Sequence, residues 1–261
     1  MRYILTSSLV VRIVRNSSAR RFCSRPKKEV PQQIDFDTLG IWDNRIDWPL
    51  LLQQSIKHGK PIPQISIKNA GYASVSGRRP TNEDRYRCRE LAQDLLYLAV
   101  FDGHGGPQCA DFASQHLESH ILSKLHRGQM DLRAILRISF LELNTAFQEY
   151  VQRESDFQAA KSGTTATVVL LRNSMELVVG HVGDSRVLLC RDGEVRKLTT
   201  DHTDDVEEEE ERVLQAGGTI KHDDTTGRGL VNGRLAMTRS LGDLELKPYG
   251  VVADPETKSL E

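Results

Sequence analysis

The sequence predicts an α+β domain built in layers, and three observations predict it. The run Leu95–Phe101 is apolar throughout and stops at Asp102-Gly103-His104-Gly105-Gly106, the pattern of a buried strand that delivers polar groups to a sheet edge. Two amphipathic helical segments follow it, 107–125 and 131–151. From Thr164 the pattern changes to short runs rich in β-branched residues. A helix pair followed by antiparallel strands is the arrangement of a helical layer packed on sheets.

The elements follow in order. Residues 29–63 are mixed and punctuated by Pro31, Pro49, Pro61 and Pro63, and predict an arm draped over the domain. Alternation over 65–76 predicts an early strand, and 97–101 a central one. Pro107 suits a first helical position, and Ala110, Ala113, Leu117, Ile121 and Leu125 fall near one face of the helix behind it. Asp131 can cap the second helix, whose stripe is Leu132, Ile135, Leu136, Phe140, Leu143 and Phe147. Strands are predicted at 164–171, 175–182 and 186–190, with a hairpin turn at 191–194. Residues 205–215 are acidic in their first turns and end at Gly217-Gly218, so they predict a helix with a favourable dipole and a glycine stop. Its run Glu207 to Glu211 reads as a solvated face.

Length and charge bound the possibilities. A chain of 261 residues is one domain plus extensions. Residues 1–28 contain eight basic residues and no acid, with apolar residues interspersed, the composition of a mitochondrial transit peptide. Arg12 and Arg15 break the apolar core that a secretory signal needs, and the stretch is too short to span a membrane. Removing those eight from the 35 basic residues leaves 27 against 36 acids, a net −9, which argues against nucleic-acid binding. Cys23, Cys88, Cys109 and Cys190 are scattered without metal-ligand spacing and imply reduced thiols.

The chemistry lies in a few segments. Asp102 at the end of a buried strand must be paired or hold a metal. Asn82-Glu83-Asp84 adds acids on a loop opened by Arg78, Arg79 and Pro80. Hard oxygen ligands with an arginine and a histidine are the inventory of phosphate chemistry on divalent metal. Six segments recur in order: 79–84, 100–106, 162–166, 182–186, Asp201-His202 and 232–243. On these residues the chain resembles the metal-dependent protein phosphatases of the protein phosphatase 2C family. The lead-in segments 40–47 and 59–63 are similar to a mitochondrial branch of that family, which acts on the branched-chain α-keto acid dehydrogenase complex.

The resemblance implies an α-β-β-α sandwich, two antiparallel sheets flanked by helices, with the metal site at one edge of the sheets. It implies hydrolysis of phosphoserine and phosphothreonine in proteins, with that dehydrogenase complex the expected partner, in the mitochondrial matrix. It implies two Mn²⁺ or Mg²⁺ ions, with a weaker third. Asp102 is the implied bridging ligand. Glu83 and the Gly103 carbonyl serve one ion, Asp84 orients metal-bound water, and Asp184 belongs to the third ion, although a simple turn aspartate is nearly as good a reading of it. Arg79 is the implied phosphate-binding residue and His104 the general acid. The 162–166 segment is read as structural, packed beneath the metals. Asp201-His202 and 232–243 are read as a flap beside the cleft, with no catalytic role. Asp204 stands where the family usually has proline.

The family pattern continues past Asp254-Pro255-Glu256 with two further metal-binding aspartates, which this sequence lacks. The expectation is therefore a phosphatase domain over 64–261 that is incomplete at its C-terminus, binds metal weakly and has little activity. The competing reading is a binding module that occupies a partner without dephosphorylating it.

Overall fold

The computed structural model describes residues 8–11, 67–77, 79–126, 131–173, 176–191 and 194–260. The expected arm at 29–63, and most of the expected transit peptide, lie outside them. At the centre is a five-stranded antiparallel sheet. Its members are β2 (Arg85–Ala92), β3 (Leu95–Phe101), β6 (Ala166–Arg172), β7 (Glu176–Val182) and β13 (Glu256–Leu260), in the order β13-β7-β6-β3-β2. The middle strands are buried on both faces, which is why 95–101 reads as a continuous apolar run.

Helices α1 (Gln108–Leu125) and α2 (Leu132–Glu154) cover one face. Ala113, Leu117, Leu136, Phe140 and Phe147 pack there against Tyr97, Val168, Leu170 and Val178. Pro107 is the residue before the first turn of α1 rather than within it. Asp131 caps α2 as its sequence predicts, its carboxylate accepting from the Ala134 amide at 2.7 Å. The short α3 (Phe157–Lys161) leads into β5 (Gly163–Thr164).

The other face of the sheet presents Leu96, Leu98, Val169, Leu171, Leu177 and Val179. Val187 of β8 (Arg186–Arg191) packs against them, as does Leu198 just after β9 (Glu194–Lys197). Strands β8 and β9 form a second sheet with β1 (Ser8–Val11), which pairs parallel to β8. The helix–sheet–sheet order of the expected sandwich is thus present. Strand β1 falls within the expected transit peptide, and its removal would leave β8 paired with β9 alone.

A small unit stands beside the sheets. It comprises α4 (Glu207–Gln215), β10 (Ile220–His222) and β11 (Gly229–Val231), packed around Val213, Val231, Leu235, Leu246 and Val251. Three expectations need correction. Of the strand expected at 65–76, the described residues form none: 67–69 is a single 3₁₀ turn and 70–76 is irregular. The helix expected from 205 starts at Glu207, because Asp204 lies in a turn with its carboxylate against Gly229, a position with no side chain in the way. Within the acidic run, Glu209 is not solvated; it is 2 % exposed.

Candidate active site

A third sheet of very short strands, β4 (Gly103–His104), β5 and β12 (Leu241–Gly242), in the order β12-β5-β4, closes the edge where β3 ends. Asp102 sits at that junction. Thr165 holds its backbone from both sides: the Asp102 amide donates to Thr165 Oγ1 at 3.0 Å, and the Thr165 amide donates to the Asp102 carbonyl at 3.0 Å. The Thr165 hydroxyl is in turn 2.8 Å from that of Ser185. The expected structural role of 162–166 takes this form, a tie between Asp102 and the segment carrying Asp184.

Glu83 reaches the same place by a different device. The Arg85 guanidinium is fixed by two bonds to Asp111 of α1 (2.5 and 3.1 Å), and it donates to the carbonyls of Asn82 (3.0 Å) and Asp84 (2.8 Å). The Asp84 amide donates to Asn82 Oδ1 at 2.9 Å, an Asx turn. This clamped loop sets Glu83 directly against Gly103, where an added Cβ would lie 2.5 Å from the Glu83 carbonyl oxygen. Gly103 is therefore a close-approach glycine.

Asp184 follows Gly183, whose φ of +96° directs the turn at the end of β7. His202 grips Gly183 from both sides: the His202 amide donates to the Gly183 carbonyl, and the Gly183 amide donates to His202 Nδ1, each at 3.1 Å. Asp201 beside it pairs with Arg186 at 2.5 Å. Asp201-His202 is thus the anchor of the Asp184 turn. Burial and the neighbouring charge of Asp102 push the Asp184 carboxyl up, against the pull of Arg228 at 3.9 Å. Asp102 and Asp184 are thus near enough for each carboxylate to disfavour the other's charge.

The comparisons with known proteins bear on this edge. The family profile for protein phosphatase 2C matches residues 74–261, from the loop ahead of Glu83 to the end of the chain. The chain belongs to the protein phosphatase 2C family. It is 48 % identical over 226 residues to "Protein phosphatase 1K, mitochondrial" of Xenopus laevis, covering 87 % of this chain and 60 % of that protein. It is 35 % identical over 203 residues to "Probable protein phosphatase 2C 45" of Oryza sativa subsp. japonica, covering 77 % of this chain and 68 % of that one. Among solved structures, a C. elegans sex determining protein superposes with a TM-score of 0.64 at 30 % identity, over 70 % of this chain and 46 % of its own. A serine-threonine phosphatase 2C from Toxoplasma gondii shares the fold, with a TM-score of 0.61 at 19 % identity. The chain spans 60 % of the frog relative's length and 46 % of the C. elegans protein's.

Arg79 is exposed on the loop before Glu83, and its guanidinium has no ion-pair partner among the described residues. Asp84 is half-buried beside Glu83. His104 follows Gly103 on β4, and its Nε2 lies 2.9 and 3.0 Å from the two carboxylate oxygens of Asp243. Burial pushes the imidazole down, but Asp243 first, then Asp102 and Asp184, outweigh it, and His104 titrates above its ordinary value. The reading of 232–243 as a flap without catalytic partners missed this contact. The sequence marked the segment that carries Asp243 but not its pairing with His104, which lies 139 residues away. Arg85 was not singled out, and the segments of Thr165 and His202 were marked without these contacts, because the roles depend on pairings between distant segments.

A cleft of about 470 Å³ opens beside His104 and Asp243, lined further by Ala160, Lys161, Leu235 and Met237. Asp254 does not join the site; it pairs with Arg137 of α2 at 2.6 and 2.8 Å. His181, His202 and Glu256 bring potential ligand atoms within 4.8 Å of one another, but they do not fit a metal. His202 Nδ1 accepts from Gly183, so Nε2 carries the proton and has no lone pair to offer. The two imidazoles also stack, 4.5 Å apart and 18° from parallel, so their ring-plane lone pairs do not converge.

Proposed function

We propose that this chain is a metal-dependent protein serine/threonine phosphatase of mitochondria, with a phosphorylated protein as substrate. The observation that carries the reading is Asp102, tied by Thr165 where the Glu83 loop and the Asp184 turn meet. Asp102, Glu83 and the Gly103 carbonyl would hold two Mn²⁺ or Mg²⁺ ions, with Asp84 orienting their water and Asp184 serving a weaker third ion. Bound divalent metal supplies an acidified water and positive charge for the phosphoryl oxygens. Arg79 holds two phosphoryl oxygens with its planar guanidinium, which a lysine cannot do. His104 protonates the departing seryl or threonyl oxygen.

The mitochondrial part of the reading is supported by the acid-free, arginine-rich residues 1–28 and by the printed name of the frog relative. The branched-chain α-keto acid dehydrogenase complex is the proposed substrate, on the resemblance of the lead-in segments alone. The test is hydrolysis of a phosphoserine peptide with Mn²⁺, for the wild type and for Asp102→Asn. The reading expects Mn²⁺-dependent release of phosphate that falls about 100-fold or more in the variant. Equal rates in the two proteins, or hydrolysis indifferent to Mn²⁺, would overturn it.

A further inference from the structure

We propose that Asp243 is the positioning residue for His104. Its carboxylate holds the Nε2–H and leaves Nδ1 as the ring nitrogen that passes the proton to the leaving oxygen. The inference rests on the phosphatase reading above and adds the residue and the nitrogen to it.

The short β4-β5-β12 sheet is built to bring the two side chains together. His104 pairs with Gly163, and Gly163 pairs with Gly242, the residue before Asp243. Gly163 lies between them and has no side chain. A Cβ there would fall 2.1 Å from Asp243 Oδ2 and 2.4 Å from His104 Nε2, so the contact occupies the space that any other residue would fill. Asp243 itself takes a left-handed backbone, φ +48°, a conformation unfavourable to a non-glycine residue that persists only where its surroundings enforce it. Those surroundings are visible. The Asp243 amide donates to the Ser162 carbonyl at 3.0 Å, and the Gly242 amide donates to Asn144 Oδ1 of α2 at 3.1 Å. Asp243 is 7 % exposed, and the ammonium of Lys247, bonded to the Ser240 carbonyl at 2.7 Å, places positive charge nearby.

The chemistry follows from the donor inventory. An ionised carboxylate only accepts, so the nitrogen facing it carries a hydrogen. Nε2–H is therefore committed, and Nδ1 is the position that exchanges a proton with substrate. During hydrolysis, water forms a bond to phosphorus while the bond from phosphorus to the seryl or threonyl oxygen breaks. That oxygen takes the Nδ1 proton of the imidazolium. The ring is left neutral with Nε2–H still donated to Asp243, and a proton from the attacking water restores it. The part played by Asp243 parallels that of the aspartate which fixes a histidine tautomer in hydrolase triads.

Two measurements test this. The first is ¹⁵N NMR of the metal-free protein labelled at histidine, read at pH values where the His104 ring is neutral. The expected result is an Nε2–H proton shifted downfield and slow to exchange through its bond to Asp243, both features lost in Asp243→Ala; a ring protonated at Nδ1, or an Nε2 proton unchanged in the variant, overturns the proposal. The second compares Asp243→Asn and Gly163→Ala on a phosphoserine peptide and on a nitrophenyl phosphate, whose leaving group needs no proton. Gly163→Ala keeps both side chains and pushes them apart, so it does not depend on either being removed. The proposal expects kcat to fall about 100-fold on the peptide, the scale of general acid catalysis, and less than about threefold on the aryl ester, with KM little changed. Equal losses on both substrates overturn it. Should the wild type hydrolyse neither substrate, the phosphatase reading fails, while the Nε2 proton still decides whether Asp243 holds His104.

Discussion

Replacing Glu209 by Gln removes the charge on which three side chains converge. Its carboxylate accepts from Arg212 at 2.6 and 2.7 Å, from Arg239 at 2.5 and 2.9 Å and from Thr238 at 2.5 Å, tying α4 to the strand-like segment 238–240. Burial pushes this carboxyl up, but the hydrogen bonds from Arg212, Arg239 and Thr238 prevail and hold it well below the usual range. Breaking one partner of a buried ion network typically costs 3–5 kcal/mol, and because both arginines keep some solvent contact we expect about 3 kcal/mol by urea denaturation. His202 gives the same residue scale a pH dependence. Burial, and then the positive charge of neighbouring groups, lower it to about 3 from an ordinary 6.5, so it stays neutral in the folded chain. A histidine depressed on folding binds its proton in the unfolded state first. Its contribution is therefore complete above pH 6.5 and is lost as pH falls from there toward 3. The urea midpoint should drop between pH 7 and pH 5, and His202→Asn, which keeps an acceptor for the Gly183 amide, should flatten that drop. An unchanged slope in the variant would assign the titration elsewhere.

At the scale of elements, the Thr165 tie makes a separable prediction. Thr165→Val preserves shape and removes the hydroxyl that accepts from the Asp102 amide, a loss of about 1–3 kcal/mol. Its effect on Mn²⁺ affinity should exceed that of Ser185→Ala, whose hydroxyl lies beside that of Thr165. Calorimetric titration would show the order, and the reverse order would argue that the segment is ordinary core. What the sequence made legible here was local. The apolar run 95–101, the helical stripes of α1 and α2 and the Asp131 cap depend on neighbours three or four positions away, and each appears where expected. What it hid was non-local. Residues 65–76 alternate like a strand, yet the described part, 67–76, finds no partner strand among the described residues. Strand β2 carries arginines whose partners, Asp111 and the Ser114 carbonyl, lie on α1. Glu209 looked like one acid in a solvated run because Arg239 is thirty residues away.

At the scale of the whole molecule, two sheets and a helix pair exist to hold one edge. Glu83, Asp102, His104, Asp184 and Asp243 come from four segments of the chain, and the order of those segments along the chain was the part of the site that could be read in advance. An extension with no acid precedes them; residues 1–30 fused to a fluorescent reporter should direct it to mitochondria, and a diffuse cytosolic signal would contradict the transit-peptide reading. The central claim is that the Asp102 edge binds divalent metal through oxygen ligands. Electron paramagnetic resonance of added Mn²⁺ measures it directly, because the free ion gives a signal that binding broadens. Wild-type protein should remove Mn²⁺ from the free pool, Mg²⁺ should displace it, and Asp102→Asn should weaken binding at least about tenfold. Equal Mn²⁺ binding by wild type and Asp102→Asn would place the metal elsewhere and contradict the account.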